Sequence, residues 1–161
     1  MQPKLTEFVV ALCALLLPTQ FPVADSFRPP SCKWCAGNRG IEYVIPAHTP
    51  VYSAASGVVT FAGSVAGARY VVVRTKSGVV VTHGRLEAVQ VSRGDPVSAG
   101  FRIGTSTGGL YIGVRRLGEY LDPMTCAPAA KNPSGLRPRA VLVPIHSHGP
   151  QNRGAISTSH T

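Results

Sequence analysis

Four short runs of β-branched residues constrain the fold of this chain more than any other feature of its sequence. Each run is bounded by Gly, Ser or Lys, which is typical of strands separated by tight turns. Thr75-Lys76-Ser77-Gly78 predicts a hairpin loop, because Gly78 can take a positive φ. Beyond the N-terminal region no segment has the 3.6-residue period of a helix, so we predict an all-β domain of antiparallel sheets. The runs are Pro50–Ala54, Gly57–Gly63, Arg69–Arg74 and Gly78–Thr82.

The stretch from Thr105 to Pro123 contains the clearest single strand. Aliphatic residues alternate with small or polar ones, so one face suits a core and the other suits solvent. We expect any functional groups of this strand on the polar face. Pro123 cannot donate to a sheet ladder, so the strand ends before it. The aliphatic positions are Leu110, Ile112 and Val114, and the positions between them are Tyr111, Gly113 and Arg115.

The first residues have the pattern of a secretory signal. Lys4 precedes an apolar run from Phe8 to Leu17, which is shorter than the roughly 20 residues needed to span a bilayer. We therefore expect a signal peptide over residues 1–24, cleaved near Ala24. The alternative is an uncleaved buried helix. The signal peptide predicts a secreted or cell-envelope protein without a transmembrane span.

Basic residues exceed acidic ones by a wide margin. The 161 residues include 16 Lys and Arg against 7 Asp and Glu, which gives a net charge of +9 and a pI near 10.0. This charge favours anionic partners. We do not expect nucleic acid, because aromatic and basic residues do not alternate along one strand and the chain has an export signal. Peptidoglycan or anionic cell-wall polymers are the expected partners.

Beyond the signal peptide the composition divides the chain into three parts. Residues 25–40 are rich in Pro, Gly and polar side chains and predict an irregular lead-in segment, which Trp34 pins to the core. Residues 41–124 form the predicted β domain. Residues 125–161 form a tail rich in Pro, Ser and Gly, with a possible edge strand at 139–143 and a disordered end.

Four cysteines raise the question of disulfides. Cys13 lies inside the apolar signal run, so we expect it to take no part in them. An oxidising compartment allows one disulfide among the other three: Cys126 with Cys32 or Cys35, or a tight Cys32–Cys35 loop. A zinc site at Cys32–Cys35 is not favoured, because no second pair of ligands at suitable spacing accompanies it.

Five sequence blocks lie between about residues 28 and 124: Asn38–Glu42, Thr49–Val59, Thr82–Leu86, Val91–Val97 and Ser106–Pro123. In their order and spacing they resemble the lysostaphin/LytM-type peptidoglycan zinc metalloendopeptidases, and most closely the actinobacterial members. The resemblance implies barrel-sandwich-like antiparallel sheets that line a groove holding one zinc ion. In that family an HxGxD motif supplies a His and an Asp ligand, HxH on the last strand supplies another His, and further histidines assist the attacking water.

The chain departs from this pattern at the positions that match the ligands and the assisting histidine. Asn38, Glu42 and Tyr111 stand at the ligand positions, and of these only Glu42 carries a carboxylate. A tyrosine phenol would have to lose a proton of pKa about 10 to bind a metal well. Arg85 matches an assisting histidine, with His83 nearby, and a guanidinium cannot act as a base. We therefore expect no cofactor.

These departures predict a metal-free groove in which Arg85 replaces the positive charge of the metal and pairs with Glu42. The alternative is that both side chains are exposed and unpaired. We expect a non-catalytic function, either peptidoglycan binding or regulation of a wall hydrolase. The other interpretation is an active zinc endopeptidase that uses Glu42, His83 and a rearranged third ligand. The predicted groove residues are Asn38, Glu42, Tyr43, His83, Arg85 and Tyr111.

Two isolated motifs point to other functions. His146 and His148 form an HxH pair, but the pair follows Pro123 and does not lie on the last strand, so we do not assign it a metal. Lys76 at a hairpin tip resembles the carrier lysine of biotinyl and lipoyl domains. The residues that flank it are Thr75 and Ser77, where such carriers usually have Met or Ala, and the export signal argues against a cytosolic carrier.

Overall fold

The computed structural model describes residues 13–129, and nearly every element in this range is a β-strand. The 3-10 turn Pro123–Thr125 is the exception within it. The predicted all-β antiparallel fold is confirmed. The strands are β1 (Ala14–Leu15), β2 (Val23–Asp25), β3 (Gly40–Tyr43), β4 (Pro50–Tyr52), β5 (Gly57–Val65), β6 (Ala68–Arg74), β7 (Val80–Val89), β8 (Pro96–Val97), β9 (Arg102–Arg116), β10 (Glu119–Leu121) and β11 (Ala127–Pro128).

A nine-stranded sheet is organised around β9. Its strand order is β2-β3-β9-β7-β6-β5-β8, and β4 and β10 also pair with β9. The register places Glu42 of β3 and Gly84 of β7 opposite Tyr111 of β9. Residues that are directly opposite on neighbouring strands point to the same face of a sheet. These three positions therefore lie side by side on one face.

Alternation along β9 separates a buried face of the sheet from an open face. Ile112 and Val114 are at most 1% exposed, whereas Tyr111 is half-buried and Arg115 is exposed. The predicted aliphatic face of this strand is confirmed. Burial of each such side chain contributes about 1.5–3 kcal/mol to folding. The same core includes Ile41, Val51, Val71, Val73, Val81 and Ile103.

The β6–β7 hairpin has the predicted loop. Gly78 takes a φ of +80°, in the left-handed region that favours glycine. The Thr75 N–H donates to the carbonyl oxygen of Val79 at 2.9 Å, and the Val79 N–H donates to Thr75 Oγ1 at 3.0 Å. The side chain of Thr75 therefore closes the loop together with the backbone.

Two disulfides replace the single one predicted. Cys13 is bonded to Cys126, so the expectation that Cys13 takes no part in a disulfide is wrong. The physical reason is the parallel pairing of β1 with β11, which brings residues 113 positions apart together. The second disulfide joins Cys32 and Cys35, one of the predicted alternatives. The predicted pairing of Cys126 with either of those residues is therefore wrong.

Residues 13–25 pack on the domain as two short strands. Cys13 and Leu15 are only 6% and 3% exposed, and β2 pairs with β3. An uncleaved buried helix is therefore not present over residues 13–25. Among the residues that the structure describes, no helix has the length and apolar character needed to cross a membrane. The signal peptide over residues 1–24 stays a prediction, but cleavage near Ala24 would remove β1 and the disulfide between Cys13 and Cys126 from this domain.

The lead-in segment over residues 25–40 consists mostly of turns and bends, with one bridge between Arg28 and Asn38. Trp34 is 86% exposed, so the expectation that it pins this segment to the core is wrong. The Cys32–Cys35 disulfide constrains the loop instead and leaves the indole in solvent. The predicted strand at 139–143, the tail end and the histidines at 146 and 148 lie outside the described residues.

Candidate functional site

Arg85 and Glu42 form an ion pair on the open face of the sheet. Arg85 Nη2 donates to Glu42 Oε2 at 2.6 Å, and the two side chains are 50% and 24% exposed. The predicted contact is therefore present, and the alternative in which both groups are unpaired is wrong. A charge-assisted hydrogen bond of this length fixes the guanidinium beside the carboxylate.

A β-bulge turns Arg85 onto this face. The pairing of β7 with β9 shifts between Gly84 and Leu86, and Arg85 has a φ of +63°. Strict alternation would instead direct Arg85 to the same side as His83, into the core. With the bulge, Leu86 is buried and Arg85 is exposed. Thr107 Oγ1 donates to the carbonyl oxygen of Arg85 at 3.0 Å and supports this backbone conformation.

Tyr111 lies beside this ion pair, and its ring packs against Gly40 and Gly113. A Cβ at Gly40 would be 2.7 Å from the Tyr111 ring, and one at Gly113 would be 2.6 Å from the phenol oxygen. The ring is accommodated because both positions lack a side chain. Burial, reinforced by Tyr120 and Tyr70, raises the pKa of Tyr111 to about 12. The phenol therefore stays neutral and can donate a hydrogen bond.

Asn38 is engaged with the backbone and does not face the groove as a free ligand. Its Oδ1 accepts from the Gly40 N–H at 3.2 Å, and its Nδ2 donates to the carbonyl oxygen of Asp25 at 3.3 Å. The residue is 7% exposed. The amide therefore ties the lead-in segment to the start of β3, which is a structural role.

His83 and Tyr43 lie on the buried face, so their predicted place in the groove is wrong. His83 is fully buried, accepts from the Ala54 N–H at Nε2 (2.9 Å), and its Nδ1 donates to the Val71 carbonyl (3.2 Å). Burial lowers the pKa of His83 to about 4, so the imidazole is neutral. Tyr43 is 3% exposed, and burial and Asp122 both raise its pKa. Alternation along the strands explains both placements, because Tyr43 directly follows Glu42 and His83 directly follows Thr82, and both preceding residues face the groove.

Three side chains that were not predicted share the open face. The Tyr70 ring is 2.6 Å from the position that a Cβ on Gly84 would take. The guanidinium carbon of Arg39 lies 5.6 Å from the centroid of the Tyr120 ring. A cavity of about 220 Å³ lies between Tyr111 and Tyr120. Alternation along β6 could have identified Tyr70, whereas Tyr120 reaches this face only because β10 folds back on β9.

A family match covers most of the domain that carries this groove. The sequence model of peptidase family M23 matches residues 36–123, which is more than half of the chain. The chain belongs to peptidase family M23. The predicted resemblance is therefore confirmed. Among curated proteins, none gives a significant match.

Solved M23-type structures share the fold. A mutant of the catalytic domain of EnpA, a prophage-encoded M23 protein from Enterococcus faecalis, superposes with a TM-score of 0.59 at 18% identity, covering 69% of this chain and 95% of that one. The catalytic domain of lysostaphin from Staphylococcus simulans gives 0.58 at 21% identity, with 66% and 91% covered. A chain of the SpoIIQ–SpoIIIAH pore-forming complex gives 0.62 at 18% identity, with 73% and 92% covered. At such low identity these likenesses show the fold alone.

The M23 fold implies a zinc ion, and the side chains at the matching positions do not fit one. Zinc takes three or four nitrogen, thiolate or carboxylate donors. Here the Asn38 amide is bonded to the backbone, Tyr111 is a neutral phenol, and Glu42 is paired with Arg85. Over residues 13–129 no three His, Cys, Asp or Glu side chains converge. In this M23 domain an ion pair stands at the matching positions.

Proposed function

We propose that this M23 domain is exported and binds the peptide part of peptidoglycan in its groove without cleaving it. The observation that carries this proposal is the Arg85–Glu42 ion pair of 2.6 Å at the positions that match a zinc ligand and an assisting histidine. A guanidinium keeps a fixed positive charge there at all physiological pH values. The groove therefore retains electrostatic attraction for a carboxylate, and a guanidinium at this position cannot act as the base that would activate a water.

The groove offers complementary groups to a peptide that carries carboxylates. Arg85 is half exposed, and of its five N–H donors one is committed to Glu42. Tyr111 adds a neutral phenol donor on the neighbouring strand. A carboxylate that bonds to Arg85 forms charge-assisted hydrogen bonds, which are about twice as strong as neutral ones. The net charge of +9 adds long-range attraction to an anionic wall.

Hydrolysis is not supported by the groups on the open face. Arg85 cannot accept a proton, and His83, the one histidine that the zinc-enzyme alternative uses, is fully buried on the other side of the sheet. Glu42 and His83 therefore cannot bind the same metal ion. For this reason we favour binding over the zinc endopeptidase alternative.

The test uses the purified full chain and insoluble peptidoglycan. We expect the protein to co-sediment with peptidoglycan, to give no cleared band in a cell-wall zymogram, and to contain less than stoichiometric zinc by elemental analysis. A cleared band together with stoichiometric zinc would overturn the proposal. Failure to co-sediment at low ionic strength would also overturn it, because the basic groove should bind most strongly there.

A second candidate is regulation through a protein partner such as a wall hydrolase. The observation that favours it is the likeness to a chain of the SpoIIQ–SpoIIIAH complex, whose name records an assembly between proteins. The two candidates separate in one experiment. If the chain fails to bind peptidoglycan but changes the rate at which a purified wall hydrolase clears it, regulation replaces binding as the function.

A further inference from the structure

Trp34 is a large apolar side chain held in solvent. It is 86% exposed, and it is the only tryptophan in the chain. Single exposed hydrophobic residues are common on protein surfaces, so exposure alone assigns no function. The surroundings of Trp34 indicate a binding role, because its loop is constrained and connects to the open face of the sheet.

Two links constrain the loop that carries Trp34. The Cys32–Cys35 disulfide closes it, and Arg39 Nη2 donates to the carbonyl oxygen of Lys33 at 2.8 Å. Lys33 Nζ lies 4.9 Å from the centroid of the indole and covers one of its faces. With 86% of the side chain exposed, the other face is open to a ligand. A side chain presented in this way loses little conformational entropy on binding.

Arg39 connects this loop to the tyrosines on the sheet. Its guanidinium is within cation–π range of Tyr120, which is 41% exposed. Tyr120 and Tyr111 line the cavity of about 220 Å³, and the rings of Tyr111 and Tyr70 lie 3.3 and 2.6 Å from the same Cβ position over Gly84. We name these four rings, Trp34, Tyr120, Tyr111 and Tyr70, the aromatic track; Arg39 links the loop of Trp34 to the three tyrosines.

Basic groups border the aromatic track. Lys33 and Arg39 lie at the end near Trp34, and Arg115 lines the cavity together with the hydroxyl-bearing Thr82. Glu119 precedes Tyr120 in the sequence, but it lies opposite Arg116 in the β9–β10 ladder and so points to the other face of the sheet. A ligand of the track therefore needs apolar ring faces, hydrogen-bonding edges and negative charge.

Saccharide rings have this combination of properties. Their C–H faces stack on aromatic rings, and their hydroxyls bond to phenol, hydroxyl and guanidinium groups at the ring edge. The cavity of about 220 Å³ is smaller than the pockets of about 300–1,000 Å³ that enclose whole small ligands. It therefore suits one ring of a longer chain that continues toward Trp34.

We propose that the aromatic track binds the glycan strand of the cell wall through saccharide rings that carry carboxylates. This rests on the proposed function, because an exported wall-binding domain meets that glycan. Single-stranded nucleic acid also binds to aromatic and basic surfaces. It is disfavoured here because a nucleic acid carries a phosphate on every nucleotide, whereas Lys33, Arg39 and Arg115 are spread along four rings and Glu42 lies opposite Tyr111.

The experiment follows the fluorescence of Trp34 in the full chain. Because the chain has a single tryptophan, a blue shift of its emission reports directly on this surface. The probes are glycan strands freed of their peptides, a neutral chitin oligosaccharide of equal length, the free wall peptide and oligothymidylate. We expect a saturable blue shift with the glycan strands, weaker binding of the neutral oligosaccharide, and no shift with oligothymidylate at the same salt concentration.

Tyr120→Ala keeps the fluorescent reporter and removes one ring of the track. It should weaken glycan binding roughly three- to tenfold, the range expected for the loss of one aromatic contact. The matched control is Tyr52→Ala, which removes a tyrosine 51% exposed on β4, where β4 pairs with the opposite end of β9. The control should bind glycan as the unchanged chain does.

Several outcomes would overturn the inference. If peptidoglycan and free peptide bind but glycan strands cause no shift, the aromatic track has no glycan function and the proposed peptide binding stands. Equal binding of the neutral oligosaccharide contradicts the role given to the carboxylates. A shift with oligothymidylate alone assigns the track to nucleic acid. If no wall component binds, the proposed function itself has failed.

Discussion

At the scale of single residues, the groove departs from the family pattern at two positions whose side chains contact each other. The position that matches an assisting histidine holds Arg85, and the nearby ligand position holds the one carboxylate, Glu42. Their 2.6 Å contact joins two opposite charges on a half-exposed surface, and Arg85 keeps its positive charge within the pair. Exposed pairs of this kind contribute only about 0–1 kcal/mol to stability. The pair is therefore better explained by recognition than by stabilisation.

Arg85→Ala separates these two explanations. We expect it to weaken binding of wall peptide tenfold or more, because the fixed positive charge is lost, and to change the free energy of unfolding by at most about 1 kcal/mol. Titration calorimetry and urea denaturation measure the two effects. Arg102→Ala, an exposed arginine at the far end of β9, is the matched control and should bind peptide normally. A loss of stability without a loss of binding would contradict the recognition role.

His83 makes the stability of the fold depend on pH. The pKa of about 4 in the folded state lies below the ordinary value of 6.5, so between these values the unfolded chain binds a proton that the folded chain does not. Stability is therefore complete above pH 6.5 and falls as the pH drops toward 4, by up to about 1.4 kcal/mol per pH unit. Urea midpoints measured from about pH 7 to about pH 4.5 test this.

His83→Gln should remove most of that slope, although it lowers stability at every pH because the core contact is altered. Val81→Ala is the control, because it removes a buried side chain of the same strand that does not titrate and should leave the slope unchanged. An equal slope in the His83 variant would show that other groups cause the pH dependence.

At the scale of elements, close contact between β3 and β9 forms the floor of the groove. A Cβ on Gly40 would lie 2.4 Å from the Ile112 carbonyl oxygen as well as 2.7 Å from the Tyr111 ring. The backbone oxygen cannot move away without breaking the ladder between the strands. Glycine is therefore required at this position by a close approach of backbone, and the same approach positions Tyr111.

Gly40→Ala is expected to destabilise the domain by about 1–3 kcal/mol, the usual range for overpacking. Chemical denaturation measures the effect. Gly63→Ala on β5 is the matched control, because its Cβ would meet its nearest neighbour, Phe61, at an ordinary 3.4 Å. If both variants lose the same stability, the cause is the general strand preference of the residues and not the close approach at β3.

At the scale of the whole molecule, the two disulfides have different effects. Cys13–Cys126 joins positions 113 residues apart and holds β1 against β11, whereas Cys32–Cys35 spans only 3. In the chain-entropy model a cross-link stabilises more when the loop that it closes is longer. The first disulfide therefore stabilises the domain, and the second mainly constrains the loop around Trp34.

Cys126→Ser, in a chain that retains Cys13, should lower the free energy of unfolding by about 2–4 kcal/mol. For a chain of this size that corresponds to a fall in Tm of roughly 2–4 °C for each kcal/mol. Cys35→Ser should lower Tm less but should weaken glycan binding, since Trp34 loses its constraint. Calorimetry gives the Tm values. An equal fall in both variants would contradict the role of loop length.

The sequence by itself determined the fold class and which face of β9 is buried. Alternation in β9 depends only on the period of two of an extended chain, and the hairpin loop depends only on local φ preferences, so both were predicted correctly. The altered ligand positions and the Arg85–Glu42 pair were also predictable, because they follow from matching short motifs to a family.

Only the tertiary structure decided which predicted groove residues share a face. The bulge after Gly84 reverses the phase of β7, and such an irregularity arises from pairing with β9 rather than from local sequence. Tertiary contacts also decide the position of Asn38, whose hydrogen-bond partners come from two segments of the chain. Tyr120 reaches the groove because β10 pairs with β9. Cys13 meets Cys126 for the same reason. A local pattern contains no information about contacts between distant positions, and those contacts position the groove.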